Sequence, residues 1–251
     1  MLRKFALSFG LLITSTLCTT AAQAAVIDIA FIMDSSTSLG DAGWESEKAF
    51  VSNFVEQLDT LETPDVEYRF GVVNFSSTVQ TVWDFADAQD PLQDILDAID
   101  SMSFLGGTTH TRSAIDTTLD MFANTSTSDA IKHAFLITDG NPYPLRTQTP
   151  CSTGNIDAAA TRDNLAASGV DMTIVGVDID DKWDPSLLDC LVNDPDRDIF
   201  QVNDFSNSVL DAVSEQLFAD FSRAVSVSEP TTLPLIALGM GLLALRRARI
   251  G

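Results

Sequence analysis

Asp34, Ser36 and Ser38 close the segment VIDIAFIMDSSTS, where an Ile-rich apolar run gives way to a carboxylate and two hydroxyls. Two other stretches repeat that pattern. The loop GGTTHT offers Thr108, Thr109 and Thr111, and the apolar run AIKHAFLIT ends at Asp139. Carboxylates and hydroxyls without a Cys or His cluster are hard donors, suited to Mg²⁺, Mn²⁺ or Ca²⁺. Mg²⁺ takes six oxygens in octahedral array and keeps several waters. Two or three neutral hydroxyls with two carboxylates leave such an ion with one position open. That position suits a carboxylate brought by a partner, so the implied chemistry is binding and needs no nucleophile.

The elements that must bring these residues together are legible in outline. A short, nearly unbroken apolar run at 26–33 reads as a strand buried on both faces. In open α/β sheets, ligands sit beyond the carboxyl ends of such strands. Trp44, Val51, Phe54, Val55 and Leu58 predict an amphipathic helix over 41–58. Residues 67–75 and 78–85 alternate and read as an antiparallel edge pair turning at Ser76-Ser77. Asp90 and Pro91 read as cap and first residue of a helix that buries Leu92, Ile95, Leu96 and Ile99. A helix with Ile115, Leu119 and Phe122 inward leads to the strand ending at Thr138. After a surface loop over 141–154, an Ala-rich helix at 156–168 is stopped by Gly169, and a strand covers 170–177. An acidic loop at 178–184, a short helix near 187–191 and a strand at 199–202 follow. Val209, Leu210, Val213, Leu217 and Phe221 predict a last helix. The alternation implies an α/β fold: a doubly wound, mostly parallel six-stranded sheet with one antiparallel edge strand and helices on both faces.

Charge and the ends of the chain bound the setting. The 251 residues carry 36 acidic and 14 basic side chains, net −22. Five of the basic ones (Arg3, Lys4, Arg246, Arg247 and Arg249) lie in end segments free of acids, leaving nine against 36 between them. Such a surface repels nucleic acid and anionic lipid, and suits cations, basic partners or a salty medium; it also keeps an exported protein soluble. Residues 1–24 have the three parts of a secretory signal: Arg3 and Lys4, the apolar stretch 5–17, and Ala22-Gln23-Ala24 for cleavage. Leu17 is too large for Cys18 to be a lipoprotein site. Export makes a bridge between Cys151 and Cys190 the expectation, with two independent thiols as the alternative. The chain divides into a signal peptide (1–24), a folded domain (25–224), a linker with Ser228-Glu229-Pro230 (225–232) and a hydrophobic helix with an Arg-rich tail (233–251). The apolar run 233–245 spans about 20 Å as a helix, short of a bilayer core by itself, and its trailing arginines favour a cytoplasmic end.

On Asp34-Ser35-Ser36-Thr37-Ser38, Gly107-Thr108-Thr109-His110-Thr111 and Thr138-Asp139-Gly140, the chain resembles the von Willebrand factor A domain family. The resemblance covers roughly residues 26–223. It implies a metal-ion-dependent adhesion site in which Ser36 and Ser38 bind the ion directly. Thr109 joins when ligand is engaged, and Asp34 and Asp139 act mostly through waters. The implied function is an exported adhesion module, not an enzyme, that holds an acidic group of a protein or exopolysaccharide through a divalent cation, Mg²⁺ first. The tail resembles the PEP-CTERM sorting signal of Gram-negative bacteria, departing from it with Ser228 at the first position. That implies an exosortase-like processing enzyme as a partner and membrane attachment through the C-terminal helix.

Two other functions fit the same residues: a metal-dependent hydrolase using an ion-bound water, and an envelope or matrix scaffold with a structural metal. His110 reads as a rim residue beside the ion, since no Gly-x-Ser-x-Gly elbow exists for it to serve. The acids at 178, 180, 181 and 184 lack the EF-hand glycine and closing Glu and read as a solvated loop. Asn74 and Asn124 begin sequences of the glycosylation type.

Overall fold

The computed structural model describes residues 24–64, 66–87, 91–151, 156–177, 183–203, 211–215 and 218. Strand β1 (Ala25–Asp34) is buried from Ile27 onward, as its composition requires. Helix α1 (Gly40–Asp59) follows, then β2 (Val66–Phe75) and β3 (Val79–Trp83), which pair antiparallel. Helices α2 (Leu92–Asp100) and α3 (Thr111–Thr125) lead to β4 (Ile131–Thr138). A short α4 (Leu145–Gln148), α5 (Ile156–Ser168), β5 (Val170–Val177), α6 (Pro195–Asp198) and β6 (Ile199–Val202) complete the named elements. The sheet order is β3-β2-β1-β4-β5-β6, parallel throughout except at β3. This is the doubly wound sheet with one antiparallel edge that the sequence implies.

The period of two along β1 builds both halves of the core. Ile27, Ile29, Phe31 and Met33 enter one cluster with α1, while Ala30 and Ile32 enter the other with α3. Phe31 stacks on Phe135 at 5.6 Å and meets the edge of Phe54 at 5.9 Å. Asp28 lies in register with Arg69 of β2 and accepts from its Nε and Nη2 at 2.7 and 2.6 Å. That buried bidentate pair is six residues, about 20 Å, from the other acid of the strand, Asp34.

Local differences from the sequence reading have local causes. α2 starts at Leu92: Pro91, at ψ 145°, is the cap residue, and its carbonyl accepts from Asp94 N–H. Asp90 lies outside the described residues. β3 stops at Trp83 because the Asp84 carboxylate accepts from Ala86 N–H, turning Phe85 into the core in a 3₁₀ turn. The stretch 141–154 contains α4, held by Gln148, whose Oε1 accepts from the backbone and hydroxyl of Ser113. The segment near 187–191 is two 3₁₀ turns, Pro185–Leu187 and Asp189–Leu191, the first capped by Asp184. The sulfurs of Cys151 and Cys190 are bonded, with Cα atoms 5.5 Å apart. Residues 211–215 are helical, and Val213 packs on the α1 side. The signal stretch 1–23, most of the acidic loop, Val209, Leu210, Leu217, Phe221 and the tail lie outside the described residues. Among those described, no helix is long and apolar enough to cross a membrane.

Candidate metal centre

β1 and β4 run side by side and parallel, with Met33 opposite Ile137. Their carboxyl ends therefore deliver Asp34 and Thr138-Asp139 to the same rim. The loop after β1 is bolted to two neighbours. Ser35 N–H donates to the Phe75 carbonyl at 2.7 Å, and Ser35 Oγ donates to Asn74 Oδ1 at 2.6 Å. On its other side, Thr37 N–H donates to the Gly107 carbonyl at 3.0 Å, and Gly107 N–H donates to Thr37 Oγ1 at 2.6 Å. Gly107 has φ +98°, and a Cβ there would lie 2.5 Å from Ser77 Oγ, so only glycine lets these loops close together. The backbone N–H of His110 reaches the Ser76 carbonyl and that of Tyr143 the Thr109 carbonyl, which fixes the threonine loop from both ends.

The side chains converge. Asp34 is fully buried; its Oδ1 accepts from Ser36 N–H at 2.8 Å and its Oδ2 from the Thr138 hydroxyl. Ser36 Oγ and Ser38 Oγ are 3.1 Å apart, and Ser38 Oγ donates to Asp139 Oδ1 at 2.9 Å. Thr109 joins them: Thr109 Oγ1 and Ser38 Oγ lie 3.4 and 3.5 Å from the point where a Cβ on Gly140 would stand. All five residues named from the sequence thus face one small volume. Thr108 does not, because its hydroxyl is 2.8 Å from Ser77 Oγ in the loop contact.

The arrangement fits a hard cation. Two neighbouring ligands of octahedral Mg²⁺, each at about 2.1 Å, are about 3.0 Å apart. The spacings of 3.1 Å for Ser36–Ser38 and 2.9 Å for Ser38–Asp139 match that edge. Asp139 Oδ2 is buried with no hydrogen-bond partner, a state that natural proteins rarely leave uncompensated. Electrostatics say the same. Burial, and then the Asp139 charge, push Asp34 up to about 7, and burial raises Asp139. Among the described residues, no three His, Cys, Asp or Glu side chains could jointly hold an ion, so the hydroxyls are essential to this donor set.

Sequence reasoning missed Glu47. It lies in α1 with no exposed surface, and its Oε1 accepts from Asp34 N–H at 3.0 Å. Burial and the charges of Asp34 and Asp139 hold its carboxyl well above the usual range. The available signal was its place on the apolar stripe, between Trp44 and Val51. His110 is half-buried just before α3, at the rim. Asn74 is buried and hydrogen-bonded through both amide atoms, so it is no glycan acceptor.

Comparison with known proteins gives this geometry a context. Human matrilin-3 is 27% identical over 214 residues, covering 82% of this chain and 39% of its own length. Human vitrin is 31% identical over 116 residues, 46% of this chain and 16% of its own. The chain thus spans well under half of either relative. Proximal thread matrix protein 1 from the mussel byssus shares the fold at a TM-score of 0.60 and 21% identity, over 78% of this chain and 46% of that one. Another structure of that protein, with a zinc-occupied MIDAS motif, matches at 0.59. The profile of the von Willebrand factor type A domain matches residues 28–216. With three quarters of its length matched and the fold observed, the chain belongs to the von Willebrand factor type A domain family.

Proposed function

We propose that this protein is an exported adhesion module that holds an acidic group of a protein or exopolysaccharide through a divalent cation, Mg²⁺ in the first instance. The observation that carries the reading is the 2.9–3.1 Å chain of oxygens from Ser36 through Ser38 to Asp139, beside a buried Asp139 oxygen with no partner. Ser36 and Ser38 serve as neutral inner ligands and Thr109 as the ligand recruited with the partner. Asp34 is pinned by Ser36 N–H and the Thr138 hydroxyl, so it and Asp139 supply the charge. The cation supplies one electrophilic position for the partner's carboxylate. On this reading both carboxylates of the cage serve the cation, and neither is set aside as a general base, which favours binding over hydrolysis. The same reading assigns residues 1–24 to export. It assigns 225–251 to membrane attachment and sorting by an exosortase-like enzyme, and so an outer-surface or extracellular location in a Gram-negative cell.

The test is a magnesium titration by calorimetry together with thermal melting. At 100 times its dissociation constant, Mg²⁺ is expected to stabilise the wild type by about 2.7 kcal/mol. For a domain near 200 residues that is a rise in Tm of roughly 5–10 °C. Asp34→Ala is expected to lose this rise and to lose chelator-sensitive capture of an acidic polysaccharide. Equal magnesium affinity in the two proteins would overturn the assignment. Stabilisation without any capture would point instead to a scaffold with a structural ion.

A further inference from the structure

We propose that Glu47 is a third acid of the metal centre, a positioning residue that holds Asp34 from behind and adds its charge to the field at the cation; this rests on the metal-binding reading above. Glu47 sits on the core-facing stripe of α1, where it has no contact with solvent. Its Oε1 fixes the end of β1 by accepting from Asp34 N–H at 3.0 Å. Its Oε2 is buried with no hydrogen-bond partner, and so is Asp139 Oδ2. A buried carboxylate oxygen left unmatched is costly unless a positive charge is near.

No basic side chain supplies that charge among the described ion pairs. Lys48, the next residue, turns away: its Nζ donates to the Asp100 carbonyl at 2.9 Å and pairs with Glu45 at 3.1 Å. The donors around the three acids are a pair of backbone N–H groups and the hydroxyls of Ser38 and Thr138, all neutral. Among the described residues, the place for that counter-charge is the oxygen cage in front of Asp34. Glu47 is not part of the oxygen chain from Ser36 through Ser38 to Asp139; its hydrogen bond is to the backbone of Asp34. It acts through the backbone of Asp34 and through its charge. A glutamine would serve as well if holding the strand end were the whole task; only the cation's field requires the carboxylate. A centre with three acids binds its cation more tightly than one with two. It also leaves the ion less electron-poor toward a partner's carboxylate.

The experiment compares the full chain with Glu47→Gln, which keeps shape and acceptor, and Glu47→Met, which keeps only shape. Magnesium affinity is read by calorimetry, and melting is followed in excess chelator. The expected result is a loss of about tenfold or more in magnesium affinity for Glu47→Gln, the scale typical of outer-shell partners of a metal. Its chelated melting temperature is expected to be unchanged or higher, because one of three clustered acids is gone. A purely structural glutamate would not separate the two readouts in this way. Wild-type magnesium affinity in either variant overturns the proposal while leaving the metal site standing. Absence of magnesium binding to the wild type overturns both.

Discussion

Asp34 is the residue whose chemistry is most at odds with its surroundings. Burial and the Asp139 charge raise its folded-state pKa to about 7, against 3.8 in the open chain. The folded, metal-free protein therefore keeps a proton that the unfolded chain releases. The stability this contributes is whole below about pH 4 and is lost as pH rises toward 7. Glu47 and Asp139 shift the same way, and Thr138 and Ser36 oppose the shift without cancelling it. His133, lowered to about 4 by burial, works in the opposite direction but is common to any pair of variants at the metal centre. Metal-free wild type should thus lose stability relative to Asp34→Asn as pH rises from 4 to 7.5, read by chemical denaturation at fixed salt. Added Mg²⁺ should stabilise the wild type more at pH 7.5 than at pH 5.5, since cation and proton compete for the same carboxylates. A difference between the two proteins that is flat with pH would mean that Asp34 is ionised without the cation.

At the scale of elements, β5 shows how closely the connection to β6 packs on the sheet. A Cβ on Gly176 would stand 2.1–2.5 Å from three ring carbons of Trp183, so the indole fills the space that a side chain at 176 would need. Gly176→Ala is expected to cost about 1–3 kcal/mol by forcing that ring off the strand. Trp183→Leu should accept the alanine with a smaller penalty, which a double-mutant cycle on urea midpoints measures. Additive costs would mean the two residues do not depend on each other. This contact also marks where reading the sequence stops. Apolar runs, and for β2 and β3 alternating stretches, locate the six strands, and the change from apolar to oxygen-bearing side chains after β1 and β4 locates the rim of the sheet, because these signals are carried by neighbouring residues. Asp34, Ser36, Ser38 and Asp139 are legible for the same reason, each at or just past the end of such a run, whereas Thr109 lies between α2 and α3 and is legible only from the resemblance of its motif. Trp183 on Gly176, Glu47 behind Asp34 and Gln148 under Ser113 are not legible, because each joins residues brought together only by the folded chain. Glu47 even runs against local pattern, a carboxylate on a stripe that should be apolar, and its partner is a backbone N–H that no sequence displays. The start of α2 fails for a smaller reason: Pro fits both the cap and the first helical position, and only ψ distinguishes them.

Over the whole molecule, charge and site pull in opposite directions. Outside its end segments the chain carries nine basic residues against 36 acidic ones, yet on the proposed reading the cage at one rim attracts a cation and, through it, an anion. A negatively charged partner must cross a repulsive field before it reaches the one attractive point. Monovalent salt screens that field, with a Debye length of about 10 Å at 0.1 M against about 30 Å at 0.01 M. It weakens a ligand bond inside the cage much less, because buried pairs are less screened than exposed ones. Association with an acidic polysaccharide should therefore speed up as sodium chloride is raised from 10 to 100 mM at constant, saturating magnesium. The dissociation rate should change little, and excess chelator should abolish the signal at every salt concentration. Surface-based kinetics on an immobilised uronic-acid polymer, with a neutral polymer as control, reads all three. A basic partner would behave in the reverse way, bound fastest at low salt and indifferent to chelator, because the acidic surface itself would be its docking site. The sign of the salt dependence thus separates recognition through the cation from simple attraction to an acidic protein.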